Sequence, residues 1–401
     1  MLPISWRGRP RRTWPQRLII AVNVVAVFGA LVAASSITYV HAEIRVIPRI
    51  AMGESMTPVD ELSEGSPVNV LIVGVDSAAG LDPDDDAHVN RDSNELTDTM
   101  MLVRADPVTD EVKILSFPRD LWVELADGNS SKLNAAVAFG GPPLLIETIR
   151  QEFAIDVNAY VAVDLAGFKA LVDAIGGVDM WFDHPMRIKS ADPRATEVPA
   201  KVLVPDAGCV AFDGSTALDY VRARVMEFKI DGRWRGPTLD DDAGDFGRTQ
   251  RQQDFVRRLM GRAIDKGARN PVVLNDLIRV AQDNVTLDDS LSTRDLLDLG
   301  QQLRAFDPDG LGMHRIPTKY GREGSQSVLR ISDEEAVEAI FALFRDPAPG
   351  TEITPSDTST PSATTTATTP SASPATTVPS GPTTTVIGAV PGPPPEGVSC
   401  G

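Results

Sequence analysis

The apolar and polar positions divide the chain into three unlike stretches. Leu18 to Val40 (LIIAVNVVAVFGALVAASSITYV) is a run of 23 residues without a charge. At about 1.5 Å per residue, such a run crosses the roughly 30 Å of a bilayer as a helix. Val68–Val75 (VNVLIVGV) is a shorter continuous run closed by Asp76, the pattern of a strand covered on both faces. Thr99–Arg104 and Glu111–Phe117 read as two further strands joined by the turn Asp106-Pro107-Val108-Thr109-Asp110. Helical spacing follows at about 142–154, 164–175, 247–266, 272–283, 292–305 and 332–345. Strands are expected near Tyr160–Val163, Val178–Phe182, Leu311–Ile316 and Ser327–Arg330. The alternation predicts one α/β domain over residues 66–346, with a central mixed sheet flanked by helices.

Composition changes the picture at both ends. Five arginines (Arg7, Arg9, Arg11, Arg12, Arg17) and no acid precede the long apolar run. Positive charge stays on the cytoplasmic side, so residues 1–17 are expected to be a cytoplasmic stub and 18–40 a single-pass signal anchor. The run exceeds the roughly 7–15 apolar residues of a cleaved signal peptide, and no clean cleavage site follows. Residues 41–65 then form a linker, and everything beyond them lies outside the cytoplasm. At the other end, residues 347–401 hold 12 of the 31 prolines and no Lys or Arg. Such a segment buries too little apolar surface to offset its chain entropy, so a disordered Thr/Pro-rich tail is expected.

Charge and missing motifs exclude several functions. With 38 Lys+Arg against 56 Asp+Glu, the net charge is -18, the wrong sign for gripping a nucleic acid. The two cysteines form no CxxC and the four histidines show no metal-ligand spacing, which removes a zinc site. Walker A and GxSxG patterns are absent as well, against a P-loop NTPase or an ordinary serine esterase. Outside the cytoplasm a disulfide persists, and Cys209–Cys400 is the one intramolecular pairing open. Two free thiols or an intermolecular bond are the alternatives. Any anionic ligand must be held by a local cluster of arginines against an adverse background.

Two constellations suit that description. Ligands of open α/β sheets gather beyond the carboxyl ends of strands. Asp76 closes the first strand, Asp98 stands just before the second, and Arg119 follows the third in Ser116-Phe117-Pro118-Arg119-Asp120. Two carboxylates and an arginine there would suit a hard cation beside a phosphate, because Mg²⁺ takes one or two protein carboxylates and completes its shell with phosphate and water. Each residue alone reads more readily as a turn or cap. The second constellation begins at Ala217-Leu218-Asp219-Tyr220-Val221-Arg222-Ala223-Arg224. In an extended segment Arg222 and Arg224 would share a face, which is unfavourable without an anion between them. Downstream, Asp245-Phe246-Gly247-Arg248-Thr249-Gln250-Arg251-Gln252 opens a helix. Arg248, Gln252, Phe255 and Leu259 lie on one stripe of it, polar head first. A diphosphate would meet Arg248, Gln252 and the positive helix end, and a hydrocarbon chain could follow the apolar residues. An ordinary core helix with a charged first turn is the alternative. Arginine grips phosphate in a planar, two-pronged geometry that lysine lacks, which gives weight to Arg222, Arg224, Arg248 and Arg251.

From Asn69 to Ile264 the chain resembles the LytR–CpsA–Psr (LCP) family. The resemblance rests on NVLIVGVD (69–76), TDTMMLVRADP (97–107), ILSFPRDLWVEL (114–125), KLNAAVAFGG (132–141), IGGVDM (175–180), FDGSTALDYVRAR (212–224) and DFGRTQRQ (245–252), seven elements in series. It implies an α/β fold with an apolar pocket for a prenyl chain. The implied activity is transfer of a glycopolymer from a polyprenyl-diphosphate carrier to peptidoglycan, at the outer membrane face, forming a phosphodiester. It further implies Mg²⁺, with Mn²⁺ as a substitute, held by Asp76 and Asp98. Arg119, Arg222, Arg224, Arg248 and Gln252 match the residues that bind the diphosphate, and Asp245 the acid beside them. Asp98 or Asp245 is the candidate base for the acceptor hydroxyl. Hydrolysis of the lipid diphosphate, or a non-catalytic regulatory role at the wall, are the other readings.

Three departures from the family pattern stand out. Leu96 occupies a position where the family commonly has Arg, so one phosphate contact is absent there or supplied by Arg91. The stretch between Asp76 and Asp98 is long and acidic (Asp82, Asp84, Asp85, Asp86). It lacks the Gly and Glu of a calcium-binding loop, with Ala87 and Ser93 in their places, and reads as a solvated loop. Val225 to Gly244 reads as an insertion containing Trp234 and Asp240-Asp241-Asp242.

Overall fold

A seven-stranded mixed sheet carries the fold. In spatial order its strands are β1 (Arg49–Ile50), β14 (Val285–Asp288), β7 (Ala159–Val163), β2 (Val68–Val75), β3 (Thr97–Asp106), β4 (Glu111–Phe117) and β15 (Gly312–Arg315). The pairs β1–β14, β7–β2 and β4–β15 are parallel, and the other three are antiparallel. The computed structural model describes residues 44–59, 62, 65–77, 97–189, 199–237, 244–264, 271–296, 298–299, 310–345, 390–392 and 394–400. Of Gly244, Asp245 and Phe246 it describes the backbone alone.

β2 is apolar but for Asn69, whose buried amide donates to the Asp156 and Phe344 carbonyls, because both faces of the sheet are covered. On one face Leu71, Val73, Met100, Leu102 and Leu115 pack against Leu145, Ile149 and Phe153 of helix α1 (Ala135–Phe153). On the other face Val70, Ile72, Met101, Val103 and Ile114 meet Val256, Met260 and Ile264. The first two of these belong to helix α4 (Gly244–Arg262). The opposite side of α4 presents Phe255 and Leu259 to a second core, built on α2 (Leu165–Ala174) and α3 (Gly214–Arg222). Full burial of Phe255 contributes about 1.5–3 kcal/mol, and its ring lies 5.7 Å from that of Phe168. Wedged between two cores, α4 has little freedom to move.

Smaller strands complete the second core. β8 (Val178–Phe182) pairs with β11 (Gly208–Phe212), and a four-stranded sheet runs β10 (Lys201–Val204), β9 (Met186–Lys189), β12 (Val225–Ile230), β13 (Arg233–Arg235). Hairpins β5–β6 (Trp122–Glu124, Ser130–Lys132) and β16–β17 (Thr318–Glu323, Gln326–Ile331) flank the main sheet, α5 (Pro271–Asn284) packs against α2, and α6 (Glu334–Ala342) sends Val337 and Phe341 into the core beside Phe153 of α1.

Several expectations are corrected. Arg222 and Arg224 are not neighbours in an extended segment: Arg222 ends α3, and the chain turns at Ala223 (φ -59, ψ 131) before β12. The helix forms because Asp213 caps it by accepting from the Thr216 N–H at 2.8 Å. Its apolar residues Ala217, Leu218 and Val221 also recur at helical spacing. Residues 225–235, the first part of the stretch read as an insertion, form the hairpin β12–β13, turned by Asp231 and Gly232, both at positive φ. The helix expected over about 142–154 is present to Phe153, and a first segment from Ala135 precedes it across a break at Gly140 and Gly141. Gly141 has φ 71, a conformation that favours glycine, and Pro142 opens the second part, where a helix tolerates proline.

The expected anchor (18–40), the acidic loop with Arg91 and Leu96, and residues 347–389 lie outside the described residues. Among the described residues no helix is long and apolar enough to cross a membrane. At the far end the structure differs from a tail disordered throughout. Residues 390–392 and 394–400 are placed, because Cys400 is bonded to Cys209 on β11, with Cα atoms 5.4 Å apart.

Candidate functional site

Antiparallel pairing brings the first constellation together. Val75 pairs with Thr97 and Gly74 with Thr99, so Asp76 leaves β2 where Asp98 enters β3, at a register irregularity. Met100 faces Phe117 across the next pair, which puts Pro118 and Arg119 at the same end of the sheet. Arg315 arrives there too, from the parallel neighbour β15. Sequence reasoning passed over Arg315, although its place at a strand's carboxyl end was the available signal.

Arg119 is the pivot of this end. Its Nη1 is ion-paired to Asp98 Oδ1, and its Nε reaches Asp120 Oδ2 at 3.2 Å. Lys132 holds the other oxygen of Asp120 at 2.7 Å. The backbone around Arg119 is fastened from two sides: its carbonyl accepts from Asn134 N–H at 3.2 Å, and Asp120's from Leu329 N–H at 2.8 Å. With its side chain 20% exposed, the guanidinium is held in place yet open to a ligand.

The second constellation converges on the same place. Asp76, Asp98, Arg119, Lys189, Arg222, Arg224 and Arg248 line one open cleft of about 390 Å³. Five cations face two carboxylates there, in a chain whose net charge is -18. Gathering like charges costs free energy unless an anion answers them. Arg248 is buried in the first turns of α4, where the helix dipole adds to its positive field. A narrower recess beneath is lined by Asp98, Ser116, Arg119, Arg248, Thr249, Gln252 and Arg315. Gln252 also donates to the Val221 carbonyl at 3.2 Å. Its neighbour Gln253 donates to Ser116 Oγ at 2.8 Å and to the His314 carbonyl at 2.9 Å, locking α4 onto the strand ends.

Some expected roles are not met. Phe255 and Leu259 are core residues of the second unit, so the α4 stripe turns apolar because it enters that core. The Asp245 side chain lies outside the described residues, and no contact is assigned to it. Lys189 was missed, since a short strand reading Met-Arg-Ile-Lys carries no chemical signature. Asp76 and Asp98 are a donor set that fits Mg²⁺, which needs few protein oxygens when phosphates complete its shell. Among the described residues no group of three or more acidic, His or Cys side chains gathers as a metal cage.

The LytR_cpsA_psr family model matches residues 47–343. The chain belongs to that family. Among curated relatives of this LCP protein is the probable cell wall biosynthesis protein LcpB of Corynebacterium glutamicum, 30% identical over 298 residues, covering 72% of this chain and 64% of LcpB. Another is the polyisoprenyl-teichoic acid–peptidoglycan teichoic acid transferase TagU of Bacillus cereus, 28% identical over 228 residues, covering 56% of this chain and 61% of TagU. The matches thus span under two thirds of these relatives' lengths. The LytR-Csp2A-Psr enzyme from Actinomyces oris shares the fold with a TM-score of 0.54 at 22% identity, covering 75% of this chain and 96% of that one. TagT bound to LI-WTA shares it with a TM-score of 0.52 at 18% identity, over 74% and 98% of the two chains.

Proposed function

We propose that this LCP protein transfers a glycopolymer from a polyprenyl-diphosphate carrier to a peptidoglycan acceptor, at the outer face of the membrane. The observation that carries the reading is the cleft, with five cations and two carboxylates where the carboxyl ends of β2 and β4 meet the start of β3. A diphosphate is the anion that such a set matches in charge. The relatives named as teichoic acid transferases support the class of substrate.

Phosphoryl transfer demands charge neutralisation and alignment more than covalent chemistry. Arg119, Arg222, Arg224 and Arg248 would grip the two phosphates, and Lys189 would add a point charge at the rim. The acceptor sugar oxygen forms the new P–O bond to the phosphorus next to the glycan. The diphosphate bridge breaks, and prenyl monophosphate leaves. Asp98 or Asp245, the candidate acids of the family resemblance, would take the hydroxyl proton. Asp76 and Asp98 would hold Mg²⁺, which when bound neutralises phosphate charge. Arg119, by pairing with Asp98, ties the ion's ligand to the phosphate grip.

The test is full-length protein with Mg²⁺ and a lipid-diphosphate-linked glycan, with and without peptidoglycan. Glycan joined covalently to peptidoglycan, with prenyl monophosphate released, is the expected result. Release of equal prenyl monophosphate without peptidoglycan would make the protein a hydrolase, and no release at all would make it a binding protein.

A further inference from the structure

Helix α3 ends at the cleft, and the carbonyls of a helix's last turn have no partners within the helix. Here two of the carbonyls at that end are satisfied from α4. Val221's accepts from Gln252 Nε2 at 3.2 Å, and Ala223's accepts from Arg251 Nη2. Residues 221 and 223 flank Arg222, and 223 directly precedes Arg224, so each cleft arginine adjoins a clamped carbonyl along the backbone.

Arg251 is the unusual partner. Only 1% of it is exposed, it is not among the residues that line the cleft, and it makes no ion pair among the described residues. Its Nε, like the buried Tyr220 hydroxyl beside it, has no hydrogen-bond partner among the described residues. Burial, with a smaller push from Arg248, pulls its pKa down to about 10. Burying a cation costs desolvation, and an apolar side chain of similar length would fill this volume without that penalty. What an apolar side chain lacks is a donor for the carbonyl at the end of α3.

We propose that Arg251 is a positioning residue, whose guanidinium fixes the end of α3 so that Arg222 and Arg224 face one diphosphate together. This rests on the cleft being a diphosphate site. The consequence concerns discrimination. Two arginines held in register favour a diphosphate over a monophosphate, whereas loosened ones bind either weakly.

The experiment is calorimetric titration of full-length protein in detergent with geranyl diphosphate and with geranyl monophosphate, for wild type, Arg251→Met and Arg251→Lys. The ratio of the two dissociation constants is the readout. Removal of the charge-assisted bond in Arg251→Met is expected to shrink the ratio about tenfold. Arg251→Lys keeps a point charge without the planar fork and is expected to shrink it about threefold. Partial unfolding would lower the number of sites and leave the ratio alone. A ratio within twofold of wild type in either folded variant overturns the proposal, and if Arg251→Met does not fold, Arg251→Lys decides alone. Wild-type protein without preference for the diphosphate overturns the reading of the cleft, and the clamp with it.

Discussion

Cutting the Cys209–Cys400 bridge puts a number on how far the C-terminus belongs to the fold. The bridge joins residues 191 apart. In the chain-entropy picture, closing so long a loop in the unfolded chain is worth about 5 kcal/mol at 25 °C. That figure holds if Cys400 would sit beside β11 without the bond. If the bond alone brings it there, the bond also fixes the 55-residue separation of Arg345 and Cys400 in the folded chain. The two closure terms then largely cancel, leaving about 1.5RT ln(191/55), or roughly 1 kcal/mol.

Local contacts choose between these limits. Residues 395–399 are exposed, residues 390–392 and 394 are only half-buried, and the backbone hydrogen bond recorded within this end, Val398 to Pro395, is local. The stabilisation should therefore lie near the lower limit, about 1–2 kcal/mol. At about 2–4 °C per kcal/mol for a domain of this size, reduction should lower the Tm by roughly 2–8 °C. Circular dichroism melts of wild type with and without reductant, beside the Cys209→Ser/Cys400→Ser variant, measure this. A fall well beyond 10 °C would place the terminus among the structural elements and refute the reasoning. So would an unchanged Tm once both thiols are shown to be free.

Arg248→Ala should lower transfer on the order of 100-fold or more, because a buried cation aimed at developing charge is lost; full activity would remove Arg248 from the site. Asp98→Asn should raise the Mg²⁺ concentration for half-maximal transfer about tenfold, while an unchanged Mg²⁺ titration would show that Asp98 is no ligand. Burial, then the charge of Lys113, holds the His314 pKa below its ordinary 6.5, so the unfolded chain takes up a proton first as pH falls. Stability from this residue is thus present above about pH 6.5 and declines below it, by up to about 1.4 kcal/mol per pH unit. Urea midpoints between pH 5 and 8 should show this slope, and His314→Gln should flatten it.

The first constellation was legible in the sequence because antiparallel geometry left little choice. Three apolar strands joined in series put the end of β2, the start of β3 and the end of β4 on one edge, so Asp76, Asp98 and Arg119 had to meet there. Arg222 and Arg224 were read on the wrong secondary structure. Asp213 with Thr216 three residues on, then apolar positions at 217, 218 and 221, is a helix signature. Attention to the i, i+2 spacing of the charges hid it. The two arginines still share the cleft, since the turn at Ala223 does what a strand would have done. The α4 stripe was ambiguous for a different reason: an apolar face reads the same whether its partner is lipid or protein, and only Phe168 and Tyr220, distant in sequence, settle that it is protein.

Arg251 marks the limit of reading charge from sequence. It belongs by composition to the same arginine cluster as Arg248, three residues away, and helical geometry turns the two to different neighbours. Arg248 faces the cleft, and Arg251 faces the end of α3. Which cation meets the ligand and which holds the others for it depends on where α3 stops, a fact set by Ala223 and the strand that follows. In an acidic chain the two roles are complementary. Like charges that share a cleft repel one another, and a cation kept out of it can resist that repulsion by gripping their backbone.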